Sequence, residues 1–259
     1  MAFLLLIALL LLIMLQPPGR RGILRAAIWM GVLIVAFVEF LSLFKWLTSF
    51  GLAITWGGAI LFLLGWHVSH RWESVASWWK WLAVRQFPKD WPTRLLLAGI
   101  LIMILAVGTM AFLTPVQTPD SQTYHLSRVA HWAQDHSVGI YATGIERQNF
   151  MSPYAEFAVL NLYVLQGGDT FVNIPNFLVY LGILLGVSWI AAQLGASNRG
   201  QWIAAVFAAV IPMAISQGSS TATDLVTAFW LVCLTAELLI ILEELSRGTQ
   251  TGLSSWIPV

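Results

Sequence analysis

The sequence predicts an all-α protein, a polytopic transmembrane helix bundle with an outward loop carrying surface-lying amphipathic helices. Two observations carry this. Only 10% of the 259 residues are charged, 58% are hydrophobic and the mean hydropathy is +0.78, whereas a soluble domain carries roughly 25% charge. The apolar residues also come in blocks rather than at amphipathic spacing. About 20 apolar residues span the hydrocarbon as a helix, because only helices and closed barrels satisfy their own backbone in lipid. Net charge +1 argues neither for nor against nucleic acid, and no nucleic-acid partner is expected. Cys233 is the one cysteine, so no intramolecular disulfide forms.

Seven blocks read as spans: 2–15, 26–43, 50–68, 95–113, 171–194, 200–216 and 225–242. The first lacks the positive flank and small-residue cleavage site of a secretory signal. It reads as a span, short because the true start lies upstream. The block 153–165 is apolar but too short to cross comfortably. Gly182 and Gly186 form a G-x-x-x-G pair, common in close helix packing and specifying little.

Lys and Arg in short loops mark the cytoplasmic side. Arg20, Arg21 and Arg25 flank one loop, and Arg71, Lys80, Arg85, Lys89 and Arg94 lie in another, two spans away. The segment 114–152 then faces outward. If 153–165 dips in without crossing, 10 of the 13 basic residues are cytoplasmic; if it crosses, 8 are. The re-entrant reading is preferred. The chain therefore divides into N-terminal spans with a Trp/basic interfacial loop (1–94), a core with the outer loop (95–245) and a tail (246–259). Trp72, Trp78, Trp79, Trp81 and Trp91 beside basic residues read as a headgroup-level anchor. Glu39 and Glu237 lie close enough to span ends to snorkel.

The outward segment carries the chemistry. Three of the five histidines, His125, His131 and His136, fall there. Thr118-Pro119 supplies a cap with proline at the first helical position. Leu126, Val129, Ala130 and Ala133 then line one helix face, and Tyr124, Arg128, His131 and Asp135 the opposite one, turned toward a cavity. Asp120 heads this helix, either as a capping carboxylate worth about 1 kcal/mol or as a catalytic acid or base. His131 and Asp135 stand at metal-ligand spacing, but no third ligand follows. A divalent metal is possible in principle, not indicated, and no cofactor is expected. A second polar loop, 216–224, ends in Asp224, which either begins the next helix or joins Asp120.

These residues resemble the GT-C fold polyprenyl-phosphate-dependent glycosyltransferases, which include protein mannosyltransferases and aminoarabinose transferases. Asp120-Ser-Gln-Thr-Tyr-His125 matches the first acidic motif and Arg128-Val-Ala-His-Trp132 the surface helix. Arg147-Gln-Asn-Phe-Met-Ser-Pro153-Tyr-Ala-Glu156 matches the arginine-to-proline approach to the next membrane segment. Gln217-Gly-Ser-Ser-Thr-Ala-Thr-Asp224 matches the second acidic loop. The resemblance covers roughly 95–242. Three spans precede its opening one, and family members continue beyond the second acidic loop, so the chain looks like the N-terminal part of such an enzyme.

The resemblance implies sugar transfer from a polyprenyl-phosphate donor in the membrane lipid to an acceptor glycan, lipid or protein at the outer face of a plasma (inner) membrane. It makes Asp120 the base and Asp224 its assistant. Tyr124, His125, Arg128, His131, Arg147 and Glu156 are the substrate-binding candidates, with Arg147, Arg128 and His125 for the leaving phosphate. For Arg128 contact with ordinary lipid phosphate is an equal alternative, and Tyr124 and Trp132 also read as packing residues. The rival class is a non-catalytic membrane subunit or scaffold of a cell-envelope assembly system.

Overall fold

Apolar runs with proline only at their edges fold as helices, and the described residues contain helices and no strand. The computed structural model describes residues 1–70, 72–83 and 88–247, with backbone alone at 70 and 72–75. Arg71, Arg85, the Trp72 side chain and nearly all of the 246–259 tail lie outside the described residues.

The first half of the chain forms α1 (Phe3–Leu15), α2 (Arg20–Leu43), α3 (Ser49–His70), α4 (Trp72–Ala83) and α5 (Trp91–Leu113). Pro17-Pro18 stops α1, since two prolines supply no N–H to continue it. Asp90 starts α5 by accepting from Thr93 N at 3.1 Å and Thr93 Oγ1 at 2.6 Å. The Thr93 hydroxyl first, then its backbone N–H, hold the Asp90 carboxyl down at about 2, and Arg199 adds to the effect.

The second half forms α6 (Leu126–Asp135), α7 (Arg147–Phe150), α8 (Tyr154–Gln166), α9 (Ile174–Gln193), α10 (Asn198–Ala209), α11 (Pro212–Gly218) and α12 (Asp224–Ser246). Among the described residues, α2, α3, α5, α9 and α12 are each long and apolar enough to cross a membrane. The block expected as one span over 200–216 is instead broken into α10 and α11, bent by 68°. Ile211 is extended and Pro212 opens the second piece, because proline cannot donate to the preceding turn. The Ala209 carbonyl at the break accepts the Tyr180 hydroxyl at 2.9 Å.

Asn173 Nδ2, at the head of α9, donates to the Thr114 carbonyl at the foot of α5, 3.2 Å away. The chain between them therefore leaves and returns at one end of the bundle, and α8 makes no net crossing. Arg128 and Arg147 belong to that end, and Lys45 sits there between α2 and α3. Arg20, Arg21, Arg25, Lys80, Lys89, Arg94, Arg199 and Arg247 belong to the opposite end.

The buried apolar side chains form two clusters. One joins α1, α2, α3, α6 and α8; the other joins α5, α9, α10, α11 and α12, with Leu24 of α2 reaching into it. The expected division at residue 94 thus does not divide the core, since α6 and α8 pack among the N-terminal spans. The glycine pair of α9 has a definite partner. A methyl group on Gly182 would stand 2.5 Å from the Phe229 ring and one on Gly186 2.3 Å from Val232, so α12 lies against this face.

Glu237 does not snorkel. It is 5% exposed and receives Arg21 Nη2 at 3.1 Å, Arg25 Nε at 3.0 Å and Arg25 Nη2 at 3.1 Å. Carboxylate burial is tolerated because two guanidiniums meet it. Glu237→Ala removes the buried carboxylate that Arg25 and Arg21 share and is expected to cost about 3–5 kcal/mol in detergent unfolding. Arg25→Leu combined with Glu237→Leu is expected to recover much of that loss; equal loss in both variants would refute the pairing as its cause.

Candidate functional site

The site is built from the head of the surface helix. Helical structure begins at Pro119, with Gln122 N donating to the Thr118 carbonyl. One residue too many is then accommodated as a π turn over Ser121–His125, closed by Leu126 N to the Ser121 carbonyl. The wide turn sends both Tyr124 and His125 inward while Asp120 stays exposed. Ser121, fully buried, accepts from Thr118 Oγ1 at 2.5 Å and from Thr221 N at 3.3 Å. That second bond joins the two polar loops, a hundred residues apart in sequence.

Tyr124 is the point on which the charged groups converge. Burial first, then the charge of Asp120 and a hydrogen-bonding contact with it, push the phenol above its ordinary value; Arg147 opposes and Asp224 adds. The phenol therefore stays protonated and serves as a donor near neutral pH. The Arg147 guanidinium lies over its ring, 5.6 Å from the centroid. Asp120, Arg147 and Asp224 are all exposed around it.

Asp224 is held by a second layer. Gln217 Nε2 donates to Asp224 Oδ2 at 2.8 Å, and Gln217 Oε1 accepts from Leu225 N at 2.7 Å. Asn176 of α9 donates to the Gln217 and Ala222 carbonyls at 3.0 and 2.6 Å. The amide of Gln217 thus orients the carboxylate and caps α12 together. From sequence Gln217 stands only as the first residue of the second acidic motif, without a role, and Asn176 does not stand out as a candidate. The signal for Asn176 is a polar side chain inside an apolar block, one that must find partners when buried.

Beneath the surface lies a separate buried group. His125 Nδ1 is 2.7 Å from Glu156 Oε1, and Arg128 Nη2 donates to the same oxygen. Arg128 also donates to the Met151 carbonyl at 2.7 Å and to the Gln148 and Ser152 carbonyls at 3.3 Å, and stacks over Trp132 at 4.9 Å. Gln148 in turn donates to the Thr123 carbonyl and Ser127 Oγ and accepts from Tyr141 and Thr143.

The faces expected for the surface helix are therefore revised. Arg128 was expected on the polar face turned toward a cavity with His131 and Asp135; it is 1% exposed, while His131 and Asp135 are exposed. The physical reason is the buried Glu156, which supplies the acceptor a buried guanidinium needs. Of the candidate residues, Asp120, Tyr124, Arg147 and Asp224 come together. His125, Arg128 and Glu156 form the group beneath and position the loop rather than line the surface. His131 stands apart, stacked on Tyr141 at 4.2 Å. Among the described residues no three His, Cys, Asp or Glu side chains are grouped to hold a metal.

Glu156→Gln removes the charge that matches Arg128. Faster hydrogen exchange across 148–152 is expected, with α9 and α12 unchanged; an unchanged loop would show that the backbone carbonyls alone hold Arg128. No protein-family model, curated protein or solved structure matches the chain.

Proposed function

We propose that the chain has the function of a membrane glycosyltransferase that moves a sugar from a polyprenyl-phosphate donor to an acceptor on the outer face of the membrane. The observation that supports it is the convergence of Asp120, Asp224 and Arg147 on one buried phenol at the end of the bundle. Carboxylates for proton transfer and a cation for a phosphate are the groups such a reaction needs, set where a lipid tail stays in the bilayer while its head reaches water.

The chemistry follows from these groups. An acceptor hydroxyl is a poor nucleophile and needs a base. Asp120 takes its proton as the acceptor oxygen bonds to the anomeric carbon. The bond from that carbon to the phosphate oxygen breaks, its electron pair leaves with the lipid phosphate, and the anomeric centre inverts through an oxocarbenium-like state. Arg147 faces the developing phosphate charge. Asp224, fixed by Gln217, orients the acceptor, and Tyr124 donates to Asp120. Side assignment rests on cation bias: among the described residues three Lys or Arg belong to the site end and eight to the other, a bias that supports the outward reading of the site.

Two experiments test this. In proteoliposomes supplied with a polyprenyl-phosphate sugar, Asp120→Asn is expected to lower transfer about a hundredfold or more; transfer at the original rate, with the fold intact, removes the base. In a Cys233→Ser background, Ala142→Cys is expected to react with an impermeant maleimide on intact cells and Lys80→Cys is not. The reverse pattern overturns the outward site.

A further inference from the structure

At the end opposite the site, a groove of about 1170 Å³ opens between α5, α9 and α10. Its floor is apolar, including Leu97, Ile104, Leu181 and Leu184. Its rim carries three cations, Arg20, Lys89 and Arg199, against one carboxylate, Asp90. Arg199 pairs with Asp90 at 3.1 Å, half-exposed, and Arg20 donates to Ser188 at 3.0 and 3.2 Å, so both guanidiniums are held at the rim. A second cavity of about 410 Å³, sharing Arg20 and Trp81, adds Arg21 and Arg25 beside it.

Depth identifies the occupant. Along α5 the groove runs from Thr93 to Ile104, about 16 Å at 1.5 Å per residue. Half of a hydrocarbon core roughly 30 Å thick is about 15 Å. The groove therefore spans one leaflet, with positive charge at headgroup level and an oily trough beneath. Trp81 and Trp202 line it as well, and tryptophan favours that level.

We propose that this groove binds one anionic diacyl phospholipid of the leaflet at the basic end, its phosphate among Arg20, Lys89 and Arg199 and an acyl chain along α5 and α9. Charge complementarity and the match in depth single out a lipid with both parts. The site is separate from the acidic cluster and does not depend on the glycosyl-transfer reading.

The test is native mass spectrometry of the detergent-purified chain titrated with phosphatidylglycerol or phosphatidylcholine. One phosphatidylglycerol is expected to be retained in preference to phosphatidylcholine. Lys89→Gln and Arg199→Gln are each expected to weaken retention about fivefold, whereas Lys45→Gln at the far end leaves it unchanged. Leu97→Trp, which fills the trough, is expected to abolish retention without lowering the melting temperature. Free glycerol phosphate, sharing the head but lacking tails, is expected to compete poorly. Equal retention of the two lipids, indifference to the charge variants, retention by Leu97→Trp or full competition by glycerol phosphate would each overturn the proposal.

Discussion

The contact between Arg128 and Glu156 governs the architecture of the site end. A guanidinium cannot shed its proton inside a protein, so a buried arginine dictates what surrounds it. Glu156, on a helix with no net crossing, supplies one charge, and the carbonyls of Gln148, Met151 and Ser152 supply the remaining acceptors. The surface helix, the loop and α8 are thereby fastened to one side chain. Arg147 precedes Gln148 in the chain, so its place above Tyr124 follows from that fastening. Among the described residues Arg128 Nε and Glu156 Oε2 lack partners, which concentrates the interaction on a single carboxylate oxygen.

The second acidic arm depends on a break rather than a bond. An unbroken helix from Asn198 onward would carry its C-terminus straight on and leave Gln217 away from α9. Pro212 and the extended Ile211 turn the chain by 68°, and Tyr180 satisfies the carbonyl released at Ala209. Gln217 then lies over Asn176, and Asp224 is aimed by it. Ser121 and Thr221 close the circuit between the two loops. Placement of the two carboxylates thus rests on neutral amides and hydroxyls, which hold a charge in position without neutralising it.

The membrane character and most helix positions were legible because they depend on local composition. Arg20–Leu43, Trp91–Leu113 and Asp224–Ser246 extend the apolar blocks by a turn or so at polar ends, where a helix continues past the hydrocarbon. Asp120, Tyr124 and Asp224 were legible as candidates because polar residues at the edges of apolar blocks are conspicuous. Their company was not. The π turn over Ser121–His125 turns Tyr124 and His125 inward together, which a regular 3.6-residue spacing does not anticipate, while Arg128, in the regular helix that follows, is buried against Glu156 rather than sharing a face with His131 and Asp135. From sequence Arg128 faces a cavity or a phosphate and Glu237 snorkels to the interface, because sequence shows a charge without showing its partner. Arg128 meets Glu156 and Glu237 meets Arg25 across 28 and 212 positions. The break at Pro212 was visible as a proline, but its geometry belongs to the packing around Tyr180.

The two ends of the bundle use one device with opposite sign. At the site end a buried cation, Arg128, is cancelled by a buried acid, and the exposed residue set contains Asp120 and Asp224 with Arg147. At the basic end a buried acid, Glu237, is cancelled by Arg25 and Arg21, and the exposed set is dominated by cations around a groove. The charges of Arg128 and Glu156 balance and contribute little field to the surface above them, whereas Glu237 with Arg25 and the half-buried Arg21 leaves one positive charge over at the basic end. The surface chemistry of each end is dominated by the remaining charges: exposed carboxylates with one guanidinium at one, guanidinium and ammonium groups around an apolar groove at the other. Under the cation-bias rule, the same distribution of charge that distinguishes the two ends would also orient the bundle in a bilayer.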